Sequence, residues 1–421
     1  MSERQDDIDA KPVRAVVTPR EAAFLVLRGL VDAGYVAYFA GGCVRDHLMG
    51  QEPEDYDIAT SARPAQVLQV FPRAQAVGES FGVMLVRSRG YTIEVATFRT
   101  DGVYSDGRHP DQVSFSDAEH DARRRDFTIN GLFEDPIGGR IIDFVDGRRD
   151  LEAKTIRAIG DPYARLREDR LRMLRAVRFA ARFGFAIEAE TAEAIRSGVE
   201  HLQGVSRERI GQELRRMLTD PNRAVAAWEL QYLGLDAVVL GEGQQTVAPT
   251  RLGRLPDRIG YSAALAAWLL DRHSEAHQAD WSRIAERWRQ SLVLSNAEHQ
   301  SLERCLAAYR TLVSEWDRLG VAGQKRLAAS LGFQDGLMLI QTEDRQRFID
   351  IRRRVQELEA TELAPTPLID GEDLIAAGLT PGPQFQRLLD AVYDGQLEGL
   401  IQEKAAALKL ALEIARNYPA Q

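Results

Sequence analysis

Two aspartates one residue apart, Asp55 and Asp57, carry the strongest chemical signal in this sequence. On a β-strand, residues i and i+2 project from the same face, so the pattern predicts two carboxylates side by side. Carboxylates that close repel each other, and the usual remedy is a divalent cation bound by oxygen ligands. The sequence therefore predicts a Mg²⁺ site at Asp55 and Asp57, with an ordinary acidic turn as the alternative.

A pair of glycines, Gly41 and Gly42, stands shortly before these aspartates. Glycine in a turn allows bare backbone N–H groups to approach an anion, and a helix predicted from Val44 would add its dipole. A phosphate cradle next to metal-binding carboxylates is the equipment for nucleotidyl transfer.

Glu94 is a candidate for a third catalytic carboxylate, because it interrupts the β-rich run 91–98. Such a residue either faces solvent or lines a site, and the Asp-x-Asp pattern favours the site. Three carboxylates can hold two Mg²⁺ ions, one activating a 3′-hydroxyl and the other holding a triphosphate. No protein nucleophile is then required.

A second polar cluster is predicted at Arg125, Asp126 and Asn130. If Asp126 opens a helical turn, Asp126 and Asn130 fall on one face with Arg125 beside them. Such a cluster can hold ribose hydroxyls and phosphate oxygens. The alternative is a helix N-cap with a satisfied asparagine.

A helix predicted over 164–183 carries Asp169 and Arg172, which are three residues apart and share a neighbouring face. An aspartate can accept from the exocyclic amine of cytosine or adenine while an arginine donates to the adjacent ring acceptor. Guanine and uracil carry a carbonyl and a ring N–H at the matching places, so both contacts would become repulsive. The alternative is an ion pair on a solvated helix surface, which contributes little.

The same predicted helix is strongly basic, although the formal net charge of the whole chain is −9. A local basic stripe on an acidic protein is typical of a surface that binds phosphate chains. We therefore expect Arg175 and Arg178 to contact RNA. The stripe consists of arginines 165, 167, 170, 172, 175, 178 and 182.

Length and composition indicate a multi-domain globular protein. At 421 residues the chain exceeds what one hydrophobic core normally supports, and its 44% hydrophobic and 28% charged residues are ordinary values. No apolar run approaches transmembrane length, and the N-terminus lacks the apolar core of a signal peptide. Two cysteines are too few for a disulfide framework. The cytoplasm is the predicted location.

The distribution of patterns along the chain predicts an α+β fold. Segments with strand character occur before about residue 150 and indicate a small α/β domain built on one sheet. After that point helices follow almost throughout, without strand-like alternation. The predicted strands are 36–40, 56–59, 82–87, 91–98 and 140–144.

In order and spacing, these motifs resemble those of class II tRNA nucleotidyltransferases, the family of CCA-adding enzymes and bacterial poly(A) polymerases. The resemblance implies a nucleotidyltransferase head at 1–150 and a base-recognising neck at 151–225. A helical body at 226–360 and a tRNA-binding tail at 361–421 would follow. The motifs that carry it are 41–46, 55–57, 125–132 and 168–172, with 206–214 and 367–383 as further elements.

The resemblance also implies roles for single residues. Gly41, Gly42 and Arg45 would hold the triphosphate of CTP or ATP, and Asp55 and Asp57 would bind catalytic Mg²⁺. The implied partner is tRNA, along its acceptor stem and elbow, with no membrane and no protein partner. Contacts to the incoming nucleotide would come from Arg125, Asp126 and Asn130, and base recognition from Asp169 and Arg172, positioned by Glu168.

Three products or functions stay open at this point. The first is complete CCA addition, the second is poly(A) addition or addition of the final A alone, and the third is RNA binding without catalysis. The Gly- and Asp-rich stretch 100–110 resembles a flexible loop that accompanies A addition in the family, so it argues against an enzyme limited to CC. Asp271 stands where a His-Asp phosphohydrolase pair would be sought, but the histidine is absent, which argues against phosphatase activity.

Overall fold

The computed structural model describes residues 17–77, 82–102, 104, 112–273 and 281–417. The chain forms two compact units, Met1–Val205 and Ser206–Gln421. The boundary between them lies inside the predicted neck, and the four-part division stays a prediction. Among the described helices, none combines the length and apolar character needed to cross a membrane.

A seven-stranded mixed sheet organises the first unit. Its strand order is β3-β4-β5-β2-β1-β8-β9, with β2 and β5 parallel and the other neighbours antiparallel. Two small pairs, β6 with β7 and β10 with β11, lie outside this sheet. The strands are β1 (Ala37–Ala40), β2 (Ile58–Thr60), β3 (Gln75–Ala76), β4 (Val83–Ser88), β5 (Tyr91–Thr97), β6 (Arg99–Asp101), β7 (Val113–Phe115), β8 (Leu132–Asp135), β9 (Arg140–Asp143), β10 (Thr155–Ile156) and β11 (Ala186–Ile187).

The register between β2 and β5 decides which polar residues meet. Ile58 pairs with Val95 in a parallel ladder, so the preceding residues, Asp57 and Glu94, come next to each other at the start of the pairing. The prediction of a strand over 56–59 is wrong by two residues at its start, because β2 begins only at Ile58. Both aspartates therefore precede the strand. The other four predicted strands correspond to β1, β4, β5 and β9 to within one residue at either end.

Helices flank this sheet and supply the rest of the core. The N-terminal helix α1 begins with a capping box between Thr18 and Glu21, and its buried face packs against β1, β4 and β5. The helices of the unit are α1 (Pro19–Asp32), α2 (Gly42–Leu48), α3 (Pro64–Val70), α4 (Ala118–Arg123), α5 (Gly147–Glu152), α6 (Pro162–Glu168), α7 (Arg172–Phe183) and α8 (Ala189–Gly198), with short 3₁₀ turns at Thr128–Asn130 and Val199–Gly204.

The predicted helix over 164–183 is wrong as one continuous element. It is interrupted at Asp169, whose backbone is extended (φ −135°, ψ 104°), so that α6 ends at Glu168 and α7 begins at Arg172. The predicted absence of strands after residue 150 is also wrong for the two-residue pair of β10 and β11. The α+β class itself is confirmed.

The second unit is helical throughout its described part. Asp271 accepts hydrogen bonds from the backbone N–H groups of Arg251 and Leu252, at 2.9 and 3.0 Å, so this carboxylate caps a helix. The helices are α9 (Arg207–Leu218), α10 (Arg223–Tyr232), α11 (Leu235–Leu240), α12 (Thr250–Arg254), α13 (Tyr261–Arg272), α14 (Trp281–Leu292), α15 (Asn296–Ser314), α16 (Val321–Ala328), α17 (Phe333–Glu343), α18 (Arg345–Glu359), α19 (Gly371–Ala376), α20 (Gln384–Leu397) and α21 (Lys404–Asn417). The last three share a small apolar core of their own.

Candidate active site

A cavity of about 560 Å³ in the first unit brings the predicted site residues together. Its walls come from the β1–α2 turn, the paired ends of β2 and β5, the segment after α4, and α7. Every residue predicted for the site lines this cavity except Asp55 and Glu168. The lining residues that the sequence predicted are Gly41, Gly42, Arg45, Asp57, Glu94, Arg125, Asp126, Asn130, Asp169, Arg172, Arg175 and Arg178.

The glycine turn has a backbone that requires glycine. Gly41 has φ 74° and ψ −121°, a conformation that L side chains rarely adopt. A Cβ atom at this position would lie 2.7 Å from Nη1 of Arg125. The turn therefore brings bare main chain against a guanidinium group at the cavity wall, which is the arrangement that an approaching phosphate needs.

Arg45, one turn into α2, is fixed on several sides. Its Nε donates to Asp46 at 2.8 Å and its Nη1 donates to Oδ1 of Asn130 at 2.5 Å. The guanidinium also lies 4.5 Å from the ring centroid of Phe183 and 5.3 Å from that of Phe179. A cation held in this way is oriented before any ligand arrives, so binding an anion costs little side-chain ordering.

The two aspartates flank a buried tyrosine. Tyr56 is 6% exposed and packs edge-on against Phe39 at 5.3 Å, while Asp55 and Asp57 on either side of it are exposed. Although part of Asp57 is open to solvent, reduced hydration in the cavity and then the negative charge of Glu94 raise the pKa of its carboxyl to about 6. Asp55 contributes to the same repulsion.

These carboxylates fit a divalent cation. In the described part of the chain, neither Asp57 nor Glu94 has an ion-pair partner within 4.0 Å, so their mutual repulsion is left for a cation to relieve. No three histidine, cysteine, aspartate or glutamate side chains among the described residues already form a metal-binding group. Glu94 as a third metal carboxylate therefore stays a prediction.

The raised pKa of Asp57 gives a testable stability effect. The pKa in the folded protein lies above the ordinary aspartate value of about 4, so the metal-free protein loses stability as the pH rises from about 4 to about 6. We expect Asp57→Asn without metal to melt at least as high as the wild type at pH 7.5. Mg²⁺ should raise the melting temperature of the wild type more than that of the variant. If the metal-free wild type instead gains stability relative to Asp57→Asn between pH 5 and pH 7.5, the pKa of Asp57 is not raised in the folded protein.

The cluster predicted around Asp126 is present. Oδ1 of Asp126 accepts from Nδ2 of Asn130 at 3.0 Å, and Nη1 of Arg125 donates to the main-chain oxygen of Asn130 at 3.2 Å. Oδ2 of Asp126 accepts from Nε and Nη2 of Arg175 at 2.8 and 2.6 Å. Burial alone would raise the pKa of Asp126, but Arg175 and Asn130 outweigh it and hold the pKa far below its usual range.

Arg175 therefore has a structural partner, which gives a second stability effect. In Arg175→Ala the Asp126 carboxylate, 8% exposed, would stay buried without its cation. Because Arg175 itself is 31% exposed, we expect a loss of about 2 kcal/mol of unfolding free energy, below the 3–5 kcal/mol of fully buried pairs. Since the folded-state pKa of Asp126 is lowered, this stabilisation is present above pH 4 and is lost in acid. Urea unfolding at pH 7 measures it, with the exposed Arg182→Ala on the same helix as control.

The two residues predicted to recognise the base, Asp169 and Arg172, do not share the face of one helix, because α6 ends before Asp169 and α7 begins at Arg172. Arg172 donates from Nη1 to Oε2 of Glu168 at 2.6 Å and to the main-chain oxygen of Arg165 at 2.9 Å. Its Nη2 donates to the main-chain oxygen of Arg124 at 3.3 Å. Oδ1 of Asp169 accepts from the backbone N–H of Leu171 at 3.1 Å. Arg172 is buried rather than solvated, which disfavours the surface ion pair with Asp169.

The seven arginines of the basic stripe do not form one exposed surface. Arg165, Arg172 and Arg175 turn inward to protein partners, and Arg178 is half-buried with its guanidinium 4.5 Å from the ring centroid of Phe179. Of the seven arginines, Arg167 and Arg182 are exposed. RNA contacts by Arg175 and Arg178 stay predictions.

Two cationic residues of the cavity were missed from the sequence. Arg99 follows β5 and Arg124 precedes the predicted cluster, and both line the cavity. The run of three arginines at 123–125 is the sequence signal that could have identified Arg124, but only Arg125 was predicted for the site. Most of the stretch 100–110 that was expected to form a flexible loop lies outside the described residues.

A mixed sheet that presents a glycine turn, a carboxylate pair and arginine cations to one cavity defines a nucleotidyltransferase. Residues 37–157 match the family model described as Poly A polymerase head domain, and residues 184–243 match the one described as Probable RNA and SrmB- binding site of polymerase A. The fold, the site and these matches agree with the class predicted from the motifs.

Known relatives identify the family. The CCA-adding enzyme of Lacticaseibacillus paracasei is 34% identical over 408 residues, which cover 94% of this chain and 97% of the relative. The CCA-adding enzyme of Geobacillus thermodenitrificans is 42% identical over 224 residues, covering 53% and 55%. The solved structure of the Bacillus stearothermophilus CCA-adding enzyme in complex with CTP superposes with a TM-score of 0.79 at 28% identity, covering 96% of this chain and all of that one. The chain belongs to the CCA-adding enzyme family.

Proposed function

We propose that this chain completes the 3′ end of tRNA in the cytoplasm by adding C, C and A from CTP and ATP. The observation that carries the proposal is the single cavity lined by the glycine turn, the Asp57–Glu94 pair and the residues around Arg172. Binding of CTP by a relative with the same fold supports a nucleoside triphosphate as the ligand.

Different residues of the cavity have different roles in the proposed reaction. The Gly41–Gly42 turn and the preoriented Arg45 cation take the triphosphate, because they offer main-chain donors and a fixed positive charge. Mg²⁺ held by Asp55 and Asp57 would neutralise phosphate charge and favour deprotonation of the attacking 3′-hydroxyl. Glu94 beside Asp57 keeps the local field negative, which favours retention of the cation.

Base selection is assigned to Asp169 and Arg172. Three hydrogen bonds hold the Arg172 guanidinium in one orientation, so its remaining donors have a fixed direction. A fixed donor beside the carboxylate of Asp169 matches the ring acceptor and exocyclic amine that cytosine and adenine share. Uracil and guanine would place a carbonyl against the carboxylate and an N–H against the guanidinium, and such mismatched buried contacts are costly.

Addition of A alone, or of many A residues, is the second candidate function. It is favoured by the match of residues 37–157 to a model described for poly(A) polymerases. CCA addition requires CTP and A addition does not, so one set of tRNA transcripts, tested with CTP and ATP, can distinguish the two functions.

The test uses purified protein, Mg²⁺ and three tRNA transcripts that end before CCA, after CC, and after CCA. CTP alone should extend the first by two residues, CTP with ATP should complete it, and the third should stay unchanged. Extension of the second transcript by ATP without any use of CTP on the first would establish A addition instead. A lack of extension on all three would contradict both functions.

A further inference from the structure

One buried carboxylate, Asp121 on α4, binds both arginines that follow it. Oδ1 of Asp121 accepts from Nε and Nη2 of Arg124 at 3.0 and 2.7 Å. Oδ2 accepts from Nε and Nη2 of Arg125 at 3.2 and 3.0 Å. The residue is 1% exposed and does not line the cavity, whereas both arginines do. The carboxylate therefore lies behind the cavity wall and contacts it through these two cations and through the backbone N–H of Arg99, which donates to Oδ1 at 3.3 Å.

The contacts on the far side of each arginine lead to the proposed nucleotide site. Nη1 of Arg125 donates to the main-chain oxygen of Asn130 and lies against the Gly41 turn. The main-chain oxygen of Arg124 accepts from Nη2 of Arg172, which belongs to the base-recognising pair. A single residue therefore connects Asp121 to each part of the site: Arg125 connects it to the glycine turn, and Arg124 connects it to Arg172.

We propose that Asp121 is a positioning residue, whose carboxylate fixes the Arg124 and Arg125 guanidinium groups at the wall of the nucleotide cavity. The inference rests on the proposed function, because it takes the cavity to be the CTP and ATP site. Asp101 stays as a counter-charge to Arg99 at 3.1 Å and to Arg124 at 3.6 Å. Without the Asp121 carboxylate, however, the Arg124 and Arg125 cations repel each other more strongly, and Arg99 on β6 adds a third positive charge nearby. They would then leave the orientation in which both reach the cavity.

The direction in which the Kd for nucleotide changes distinguishes a positioning role of Asp121 from a purely electrostatic one. Removing a negative charge behind the wall makes the cavity more positive, which by Coulomb attraction alone strengthens the binding of a triphosphate. Loss of the two fixed orientations weakens binding, because the arginines must then be ordered by the ligand. In Asp121→Asn the amide can accept from one arginine but presents its NH₂ donors to the other, so one orientation is lost.

The experiment measures equilibrium binding of CTP and of ATP to the full chain without tRNA. We expect the Kd of Asp121→Asn to rise at least about tenfold for both nucleotides. The matched control is Asp117→Ala at the N-terminus of the same helix, where Asp117 caps the His120 N–H at 2.9 Å. The control loses a helix cap and is expected to lower the melting temperature while its Kd stays within twofold of the wild type.

Three outcomes decide the inference. An unchanged or lower Kd in a folded Asp121→Asn overturns it, as does an equal rise in Asp117→Ala, since the effect would then come from helix stability. If Asp121→Asn does not fold, Asp121→Glu keeps the charge but displaces the carboxylate by one methylene, and the same rise in Kd is expected. A wild type that binds CTP and ATP but extends no tRNA contradicts the proposed function and leaves the binding result for Asp121 intact.

Discussion

Replacement of Asp57 by alanine is expected to lower the rate of nucleotide transfer about a hundred- to a thousandfold or more, because loss of one metal carboxylate removes charge stabilisation that is present in the transition state. Asp55→Ala should have the same effect. Binding of tRNA should stay near the wild-type level, since neither carboxylate attracts a polyanion. Single-turnover transfer of CMP to tRNA ending before CCA measures the first quantity, and filter binding measures the second.

The neighbouring acidic residue provides the control for these variants. Glu54 is exposed, lies next to Asp55 and is not predicted for the site, so Glu54→Ala should transfer at the wild-type rate. Transfer within tenfold of the wild type by either aspartate variant would rule out metal binding at that residue. A parallel loss of tRNA binding would point to misfolding around Tyr56, which packs in the core between the two aspartates.

Local sequence signals were sufficient for the parts of the cavity that depend on residue type and short spacing. Gly41 adopts a backbone that other residues rarely adopt, and the alternation around Tyr56 places Asp55 and Asp57 on the exposed side. The contact between Asp126 and Asn130 follows from a spacing of four residues. Each of these features depends on residues at most four positions apart, so the sequence alone contains it.

The break at Asp169 could not be predicted in the same way. The segment around it consists mainly of arginine, leucine, methionine and glutamate, which are good helix formers, so propensity favours one continuous helix. The contacts that accompany the break are tertiary. Arg172 donates to the main-chain oxygen of Arg124, 48 positions earlier, and Arg165 donates to the same oxygen. Tertiary contacts of this kind override local preference.

The full or partial burial of most arginines in the basic stripe could not be predicted for a related reason. Periodicity places charges on a helix face but does not show what packs against that face. Arg175 contacts Asp126, which is 49 positions earlier in the chain. Arg165 contacts Glu168 and the main-chain oxygens of Arg123 and Arg124 at the end of α4. Arg175 therefore lines the cavity, and Arg165 is held by protein partners beside it, although helix periodicity alone places both on a surface.

Asp169→Ala is expected to change which nucleotide is incorporated as well as to slow the reaction. Without the carboxylate, O4 of uracil no longer meets a negative charge, so UTP should gain on CTP. An unpaired buried polar group costs about 1–3 kcal/mol, so the ratio of UTP to CTP incorporation should rise about tenfold. GTP should gain on ATP for the same reason.

Relative incorporation of all four nucleotides on tRNA ending before CCA measures this selection. The control is Asp161→Ala, because Asp161 caps the start of α6 at the Tyr163 N–H (2.9 Å) and does not line the cavity. It should lower stability and leave the nucleotide ratios unchanged. If Asp169→Ala behaves like Asp161→Ala, the aspartate has a structural role, to which its bond with the Leu171 N–H contributes, and base selection must come from Arg172 with other donors of the cavity. If the ratios shift only in Asp169→Ala, the carboxylate itself excludes uracil and guanine.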